Sequence, residues 1–243
     1  TLAITSFTVD TSPGVFVAAG NSGNILRSTD NGSSFDNATS PTANTLKGVT
    51  FGNNTFVAVG SSGNIVRSMD NGSSFDNVTS PIETDLYRIT FGNNTFVAVG
   101  QNGNILKSTD NGSSFDNVTL PIPTNLRGVT FGNNTFVAVG DSGYIARSTD
   151  NGTTWDNATS PTANSLVDVT FGNNTFVAVG LSGNILRSTD NGSSFDNATS
   201  PTGNHLYGVG HGNNIFVAVG SYGNILRSTD NGTTWDNATS PTA

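Results

Sequence analysis

Hydrophobic residues in this chain come in short runs broken by Gly, Asn, Ser and Asp, and the runs recur. Residues 41–80 show the pattern. Leu46 to Phe51 alternates so that Val49 and Phe51 share a face, the period-two signature of a half-buried strand. Gly52-Asn53-Asn54 is a tight turn of the kind that closes hairpins. Thr55-Phe56-Val57-Ala58-Val59 is apolar on both faces, which predicts a strand covered on both sides. Gly60-Ser61-Ser62-Gly63 turns the chain into a third strand, Asn64-Ile65-Val66-Arg67-Ser68. Asp70-Asn71-Gly72 turns it again into a fourth, more polar strand from Phe75 to Thr79. Ser80-Pro81 and the residues to Asp85 lead into the next unit.

The run Gly23-Asn24-Ile25-Leu26-Arg27-Ser28-Thr29-Asp30-Asn31-Gly32-Ser33-Ser34-Phe35 returns throughout. Its Asp stands at 30, 70, 110, 150, 190 and 230, giving six copies at a step of 40 residues. A fixed period in this range denotes a repeat architecture. Four short antiparallel strands per repeat make one blade of a β-propeller. The polarity gradient agrees: the second strand is the most apolar, and the fourth is polar enough for an outer rim. A stacked β-solenoid would need shorter rungs and parallel strands, whereas two-residue turns favour hairpins. The expected fold is therefore all-β. It is a six-bladed propeller in one domain over residues 1–243, with blades near 1–40, 41–80, 81–120, 121–160, 161–200 and 201–243. The repeat is in phase with the blades, so no strand exchange between the termini is expected. Closure would then rest on packing between blades one and six, with fastest hydrogen exchange in those two. Blade one diverges most: Ser6-Phe7-Thr8-Val9 is expected to replace Leu-x-Gly-Val, and Thr11-Ser12-Pro13-Gly14 to replace Phe-Gly-Asn-Asn.

Composition changes the picture little. Apolar residues are only 34% of the chain, below the usual ~45–50%. The deficit is filled by turn formers, as many short strands require. A net charge of -8 with nine Lys and Arg argues against a nucleic-acid partner, which needs a basic face. There is no cysteine, so neither disulfides nor a thiolate metal site is expected. No apolar run is long enough to span a membrane, and no signal peptide is evident; the chain could be a mature or excised form. A soluble protein is expected. Its compartment is open, a bacterial secreted or cell-surface setting among the choices.

Ser28-x-Asp30-x-Gly32-x-Ser34-Phe35 resembles the Asp-box, or bacterial neuraminidase repeat, and all six copies match. Thr154-Trp155 and Thr234-Trp235 carry its more usual ending. Val57-Ala58-Val59-Gly60 followed by Gly63-Asn64-Ile65 is similar to blades of the photosystem II stability and assembly factor family. The resemblance implies that Asp30, Asp70, Asp110, Asp150, Asp190 and Asp230 are scaffold, on the face away from ligand sites. Each carboxylate would accept backbone N–H groups of its own turn, a buried acceptor worth about 1–3 kcal/mol. Asn and Gly can follow because both tolerate positive φ. The aromatic would plug the space between blades. Calcium ligation is not expected: alternating oxygen ligands and a distal Glu are missing. No metal and no cofactor is expected.

The same resemblance makes a sialidase the first enzymatic reading. It would need three arginines converging on a carboxylate, a tyrosine nucleophile with a glutamate partner, and an aspartic acid. Arg27, Arg67, Lys107, Arg147, Arg187 and Arg227 instead share one repeat position and are spread over the blades. The single glutamate is Glu83, and no carboxyl pair suits a glycosidase. His205 and His211 have no obvious acidic or Ser partner. A non-catalytic protein is expected, with no catalytic residues.

Blades differ from one another at two places, the start of the first strand and the turn between the second and third strands. These hold Lys47, Tyr87, Arg88, Arg127, Asp168, Tyr207 and Tyr222, with Asp141, Leu181, Tyr144 and Val167 nearby. In a propeller both lie on one face, opposite the Asp turns. Loops on a rigid scaffold are where binding concentrates, and Tyr and Arg suit hot spots. The expected role is a protein-interaction scaffold, or a recently amplified or engineered propeller without a selected ligand. The alternative is a multivalent lectin-like glycan binder, although no exposed aromatic recurs to stack on sugars. A monomer is expected. Asn37-Ala38-Thr39 and Asn53-Asn54-Thr55 read as turn chemistry rather than glycosylation sites.

Overall fold

The computed structural model describes residues 3–10, 14–118, 120 and 122–240. They form six sheets of four antiparallel strands, a six-bladed β-propeller. Among the described residues every sheet is made of strands consecutive in sequence, and no strand is exchanged between sheets. The chain divides into two compact units of three blades, Thr1–Pro121 and Ile122–Ala243.

In the first unit the first strands are Ile4–Asp10, Leu46–Gly52 and Leu86–Gly92, and the second strands are Val15–Gly20, Thr55–Gly60 and Thr95–Gly100. Asn53 and Asn54 join such a pair at φ 47° and 55°, so both central residues are left-handed, as the type I′ hairpin turn demands. The second strands of blades two and three are buried at every position. One face of each blade is pressed on the next. Val57, Val59 and Ile65 of blade two meet Leu86, Ile89, Phe96, Ala98, Leu106 and Phe115 of blade three. Fully burying each Val, Leu, Ile or Phe side chain among these contributes about 1.5–3 kcal/mol. Blades one and two repeat this junction.

Blade one sits in a different register from the one its sequence suggests. Ile4 pairs with Gly20 and Phe7 with Ala18, as Leu46 pairs with Gly60 and Val49 with Ala58. Ile4-Thr5-Ser6-Phe7, not Ser6–Val9, therefore replaces Leu-x-Gly-Val. The hairpin loop after Asp10 is longer than the two residues used elsewhere, which moves the first strand back along the sequence. Thr11, Ser12 and Pro13 of the second expected replacement lie outside the described residues.

The second unit repeats the scheme. Its first strands are Leu126–Gly132, Leu166–Gly172 and Leu206–Gly212; its second strands are Thr135–Gly140, Thr175–Gly180 and Ile215–Gly220. A Cβ on Gly132 would stand 2.1 Å from the Phe171 ring of the next blade, and one on Gly172 would stand 2.1 Å from the His211 ring. These glycines are seats for rings. His211 tilts against Phe216 with centroids 4.5 Å apart, as Phe171 does against Phe176 at 4.7 Å. It is an aromatic core residue standing where other blades have Phe. The second strand of blade six departs from the expected double burial: Val217 and Val219 are exposed.

The fourth strands are shorter than Phe75–Thr79 suggests, Asp76–Val78 in blade two and Asp36–Asn37 in blade one. The chain leaves its own sheet to stitch the next blade. The Thr39 N–H donates to Ser73 O at 3.1 Å, and the Phe75 N–H donates to Thr39 O at 2.9 Å. Thr159 repeats this with Ser193 and Phe195 in the second unit. Asn37 is consequently a strand residue paired with Leu26, not a turn residue.

Candidate functional site

Each blade presents two ends. The second and third strands meet in a three-residue 3-10 turn at one end (Ser61–Gly63 in blade two), and the third and fourth meet in the Asp turn at the other. Leu46 pairs with Gly60, so the start of the first strand lies at the 3-10 end, away from the Asp turn.

The Asp turns are internally saturated. In blade five the Ser188 hydroxyl donates to Asp190 Oδ1 at 2.8 Å and accepts from the buried Gly192 N–H at 2.9 Å. The Ser194 N–H donates to Asp190 Oδ1 at 3.0 Å, and its hydroxyl donates to Oδ2 at 2.6 Å. The sequence reading made the carboxylate a buried acceptor. The structure reverses this: the six Asp are exposed and the serine beneath each is buried. The motif aromatics Phe75, Phe115, Phe195 and Trp235 are buried between blades. At Asp30, hydrogen bonds from the Ser34 hydroxyl and then the Ser28 hydroxyl hold the carboxyl down at about 2. At Asp70, desolvation pushes upward but is outweighed by the Ser74 and Ser68 bonds, and the carboxyl again falls to about 2. The recurrent third-strand arginines serve the same scaffold. Arg147 Nε donates to Asn191 O and Arg187 Nε to Asn231 O of the following blade, each at 2.8 Å.

The 3-10 end carries the variable positions. A register shift marks every first strand at its second residue, between Leu46 and Gly48 in blade two and between Leu126 and Gly128 in blade four. Such a bulge takes one residue out of the ladder and re-aims its side chain. The bulged residues are Thr5, Lys47, Tyr87, Arg127, Val167 and Tyr207.

In the second unit three of them line a cavity of about 330 Å³ with Asp141, Ser165 and Leu181. Arg127, Val167 and Tyr207 come from three successive blades; Asp141 and Leu181 each open a 3-10 turn. Arg127 Nε contacts Asp141 Oδ1, and Arg127 Nη2 donates to Oδ2 at 3.1 Å. The Asn125 amide donates to Oδ2 at 2.9 Å. Burial pushes the Asp141 carboxyl upward, but the Arg127 and Asn125 bonds outweigh it, and its pKa is lowered. The anion is thus committed to Arg127, which leaves Leu181, Val167 and the half-exposed Tyr207 as the accessible lining. Tyr207 lies edge-on to His205 at 6.2 Å, and its hydroxyl accepts from Ser221 Oγ at 3.3 Å.

A second cluster in the first unit unites Lys47, Tyr87 and Arg88. Lys47 Nζ is 2.6 Å from Asp85 Oδ2 and 4.9 Å from the Tyr87 ring centroid. The Lys47 bond and the Ser62 N–H hold the Asp85 carboxyl below its ordinary range. Arg88 Nη1 donates to the carbonyls of Lys47 and Tyr87, each at 3.0 Å. Asp168 turns toward the next first strand, where its Oδ2 accepts from the Val209 N–H at 2.9 Å. Ser6 does the same for Val49 at 3.0 Å, so this position ties blades. Tyr222, at φ 57° in its turn, is 82% exposed.

Sequence reasoning noted His205 among the varying residues but missed the role of its repeat position, just before each first strand. Asp85 and His205 each accept the N–H of a 3-10 residue of the preceding blade, Ser62 and Ser182, both at 3.0 Å. The available signal was variation: Thr45, Asp85, Asn125, Ser165 and His205 occupy one repeat position. Among the described residues, no helix is long and apolar enough to cross a membrane.

The family model for the DUF6242 β-propeller domain matches residues 116–243, more than half the chain. The chain belongs to the DUF6242 β-propeller domain family. No curated protein sequence matches it. Solved structures share its fold at low identity. A structure of YCF48 bound to D1 peptide is 18% identical with a TM-score of 0.78, covering 98% of this chain and 81% of that one. YCF48 from Cyanidioschyzon merolae is 14% identical with a TM-score of 0.75, covering 98% and 85%. The WD40 β-propeller domain of Doa1 is 11% identical with a TM-score of 0.75, covering 99% and 83%.

Proposed function

We propose that this DUF6242 propeller is a non-catalytic interaction module that binds a protein segment at the 3-10 end of its blades. Its principal contact is the cavity lined by Arg127, Asp141, Leu181 and Tyr207. The observation that carries the reading is the make-up of that cavity. It is lined by bulged residues, turn-opening residues and Ser165 from the position just before the first strand, three repeat positions at which the blades differ. The scaffold around it is rigid, and Tyr and Arg beside apolar side chains suit a hot spot. YCF48, which shares the fold, has been solved with a D1 peptide, which supports a peptide as the ligand class. The Ser-x-Asp-x-Gly-x-Ser/Thr-aromatic turns support an Asp-box reading of the repeat, with its Asp residues as scaffold.

The test is selection of displayed random peptides on the full chain, followed by binding of the enriched sequences to Leu181→Asp and Tyr207→Ala. Enriched peptides should lose tenfold or more in affinity for both variants. Equal binding to variants and wild type, or no enrichment, would sink this reading. Binding on a glycan array in its place would move the protein to the lectin class.

A further inference from the structure

Junctions between successive blades are closed at the outer rim by a recurring stitch. A threonine just past the fourth strand bridges to the following Asp turn: Thr39 to Ser74, Thr159 to Ser194 and Thr199 to Thr234. At the first two, the threonine N–H donates to a serine carbonyl and its carbonyl accepts from the motif phenylalanine. An arginine closes the same rim. Arg147 Nε and Arg187 Nε donate to Asn191 O and Asn231 O of the following blade, each at 2.8 Å, and Arg27 Nε donates to Asn71 O. The residue before each stitching threonine is alanine: Ala38, Ala158 and Ala198.

The junction between blades two and three lacks both closures. Valine stands at position 78. The fourth strand runs one residue further there, Asp76–Val78, with Val78 in register with Ile65. A β-branched residue favours that extension, and Val78 packs a bulkier side chain than alanine against the blade-three core. Thr79 makes no bridge to Ser114. Among the described residues the Thr79 N–H, the Ser113 carbonyl and the Phe115 N–H have no hydrogen-bond partner. Arg67 Nε is buried and has none either. Arg67 Nη2 rests at 2.7 Å on the thioether of Met69, a weak acceptor, which stands where the other blades have threonine. A cavity of about 140 Å³ opens here, lined by Arg67, Met69, Asp76, Asn77, Val78 and Ser113.

We propose that this open seam is a second peptide site, at the Asp-turn end of blades two and three, where one residue of an extended segment takes the place of the missing stitch. The unmet groups name the ligand. A stitching threonine supplies an N–H to one partner and a carbonyl to another, and any residue in extended conformation supplies the same pair. Ser113 O accepts the N–H of the bound residue, and the Phe115 N–H donates to its carbonyl. A neighbouring peptide carbonyl takes Arg67 Nε, the role that Asn191 O and Asn231 O play elsewhere. Adding a segment in this way draws affinity from main-chain hydrogen bonds, and a buried donor left without a partner is costly, so Arg67 gains most from being met. The size agrees. A volume of 140 Å³ holds about five waters at ~30 Å³ each, which is room for one residue. Asp76 on the cavity wall opposes a free anion and suits a neutral backbone that carries N–H donors.

The first measurement is amide exchange on the full chain. Phe115 should exchange at least tenfold faster than Phe75 and Phe195, whose N–H groups donate to Thr39 O and Thr159 O. Equal protection means a closed seam and overturns the proposal. Displayed random peptides are then selected on the full chain carrying Leu181→Asp, so that binders of the Leu181 cavity do not dominate. Enriched sequences should lose tenfold or more in affinity when Val78→Ala restores the residue of the stitched junctions, and when Arg67→Lys removes the Nε donor. Other blades carry these residues at the same positions, Ala38 and Lys107, so both variants should keep the fold. A saturating peptide should slow Phe115 exchange tenfold or more. No enrichment, unchanged affinity for either variant, or Phe115 exchange unmoved by the peptide overturns the proposal. The cavity reading stands or falls separately, on peptides selected with the unmodified chain.

Discussion

Replacing Ser188 with Ala separates the two candidates for the anchor of the Asp turn. Ser188 is buried, donates to Asp190, and is the acceptor for the buried Gly192 N–H at 2.9 Å. Alanine removes the partner of that buried N–H. An unsatisfied buried donor costs about 1–3 kcal/mol. Asp190→Asn is gentler. The carboxylate is exposed, and the amide oxygen can still accept from the Ser194 N–H, so the expected loss is about 0.5–1.5 kcal/mol. Urea denaturation of both variants gives the order, with stability compared at a common slope. Amide exchange gives the location: Gly192 should exchange about 5- to 150-fold faster in Ser188→Ala, the same free energy read as a rate ratio. If Asp190→Asn destabilises as much as Ser188→Ala, or if Gly192 exchange is unchanged in the serine variant, the carboxylate is the anchor and the reasoning fails.

Acid should weaken the fold in a defined window. Asp30, Asp70, Asp110, Asp150 and Asp230 are held at about 2, below the ~3.9 of an unfolded Asp. A depressed folded pKa gives stability that is full above about pH 4 and is lost as pH falls toward 2. Melting temperatures that hold steady or rise over that interval would contradict the assignment. Gly143→Ala should destabilise by more than about 1 kcal/mol. Its φ is +72°, and the new Cβ would stand 1.9 Å from the Thr162 carbonyl oxygen. Gly203→Ala, with nothing within 4 Å of the new Cβ, should be neutral or stabilise by up to about 1 kcal/mol; equal losses for the two in urea would refute the steric account.

The sequence by itself determined the blade. Local signals suffice for that, because each hairpin closes with residues a few positions apart. Asn53-Asn54 can both take positive φ, and Thr55 to Val59 has no polar face to expose. Repetition then multiplied one correct reading by six. It also identified which positions drift, and so found Lys47, Tyr87, Arg127 and Tyr207 together with Asp141, Leu181 and Val167, but not which of them meet.

Tertiary structure decided everything that depends on register and on packing between blades. A bulge at the second residue of each first strand leaves the hydrophobic pattern unchanged, yet it decides that Arg127 and Tyr207 face a cavity. Asp168 and Arg88, one residue further on, turn instead to neighbouring strands. The longer loop of blade one shifted its alignment in the same silent way. Burial of Ser188 beneath an exposed Asp190 follows from which side of the turn the preceding blade covers, with Val137 and Arg147 of blade four lying against Gly192. Val217 and Val219 make the same point: their sequence is that of Val177 and Val179, yet they are exposed where Val177 and Val179 are buried, because burial is set by packing and not by the residue itself.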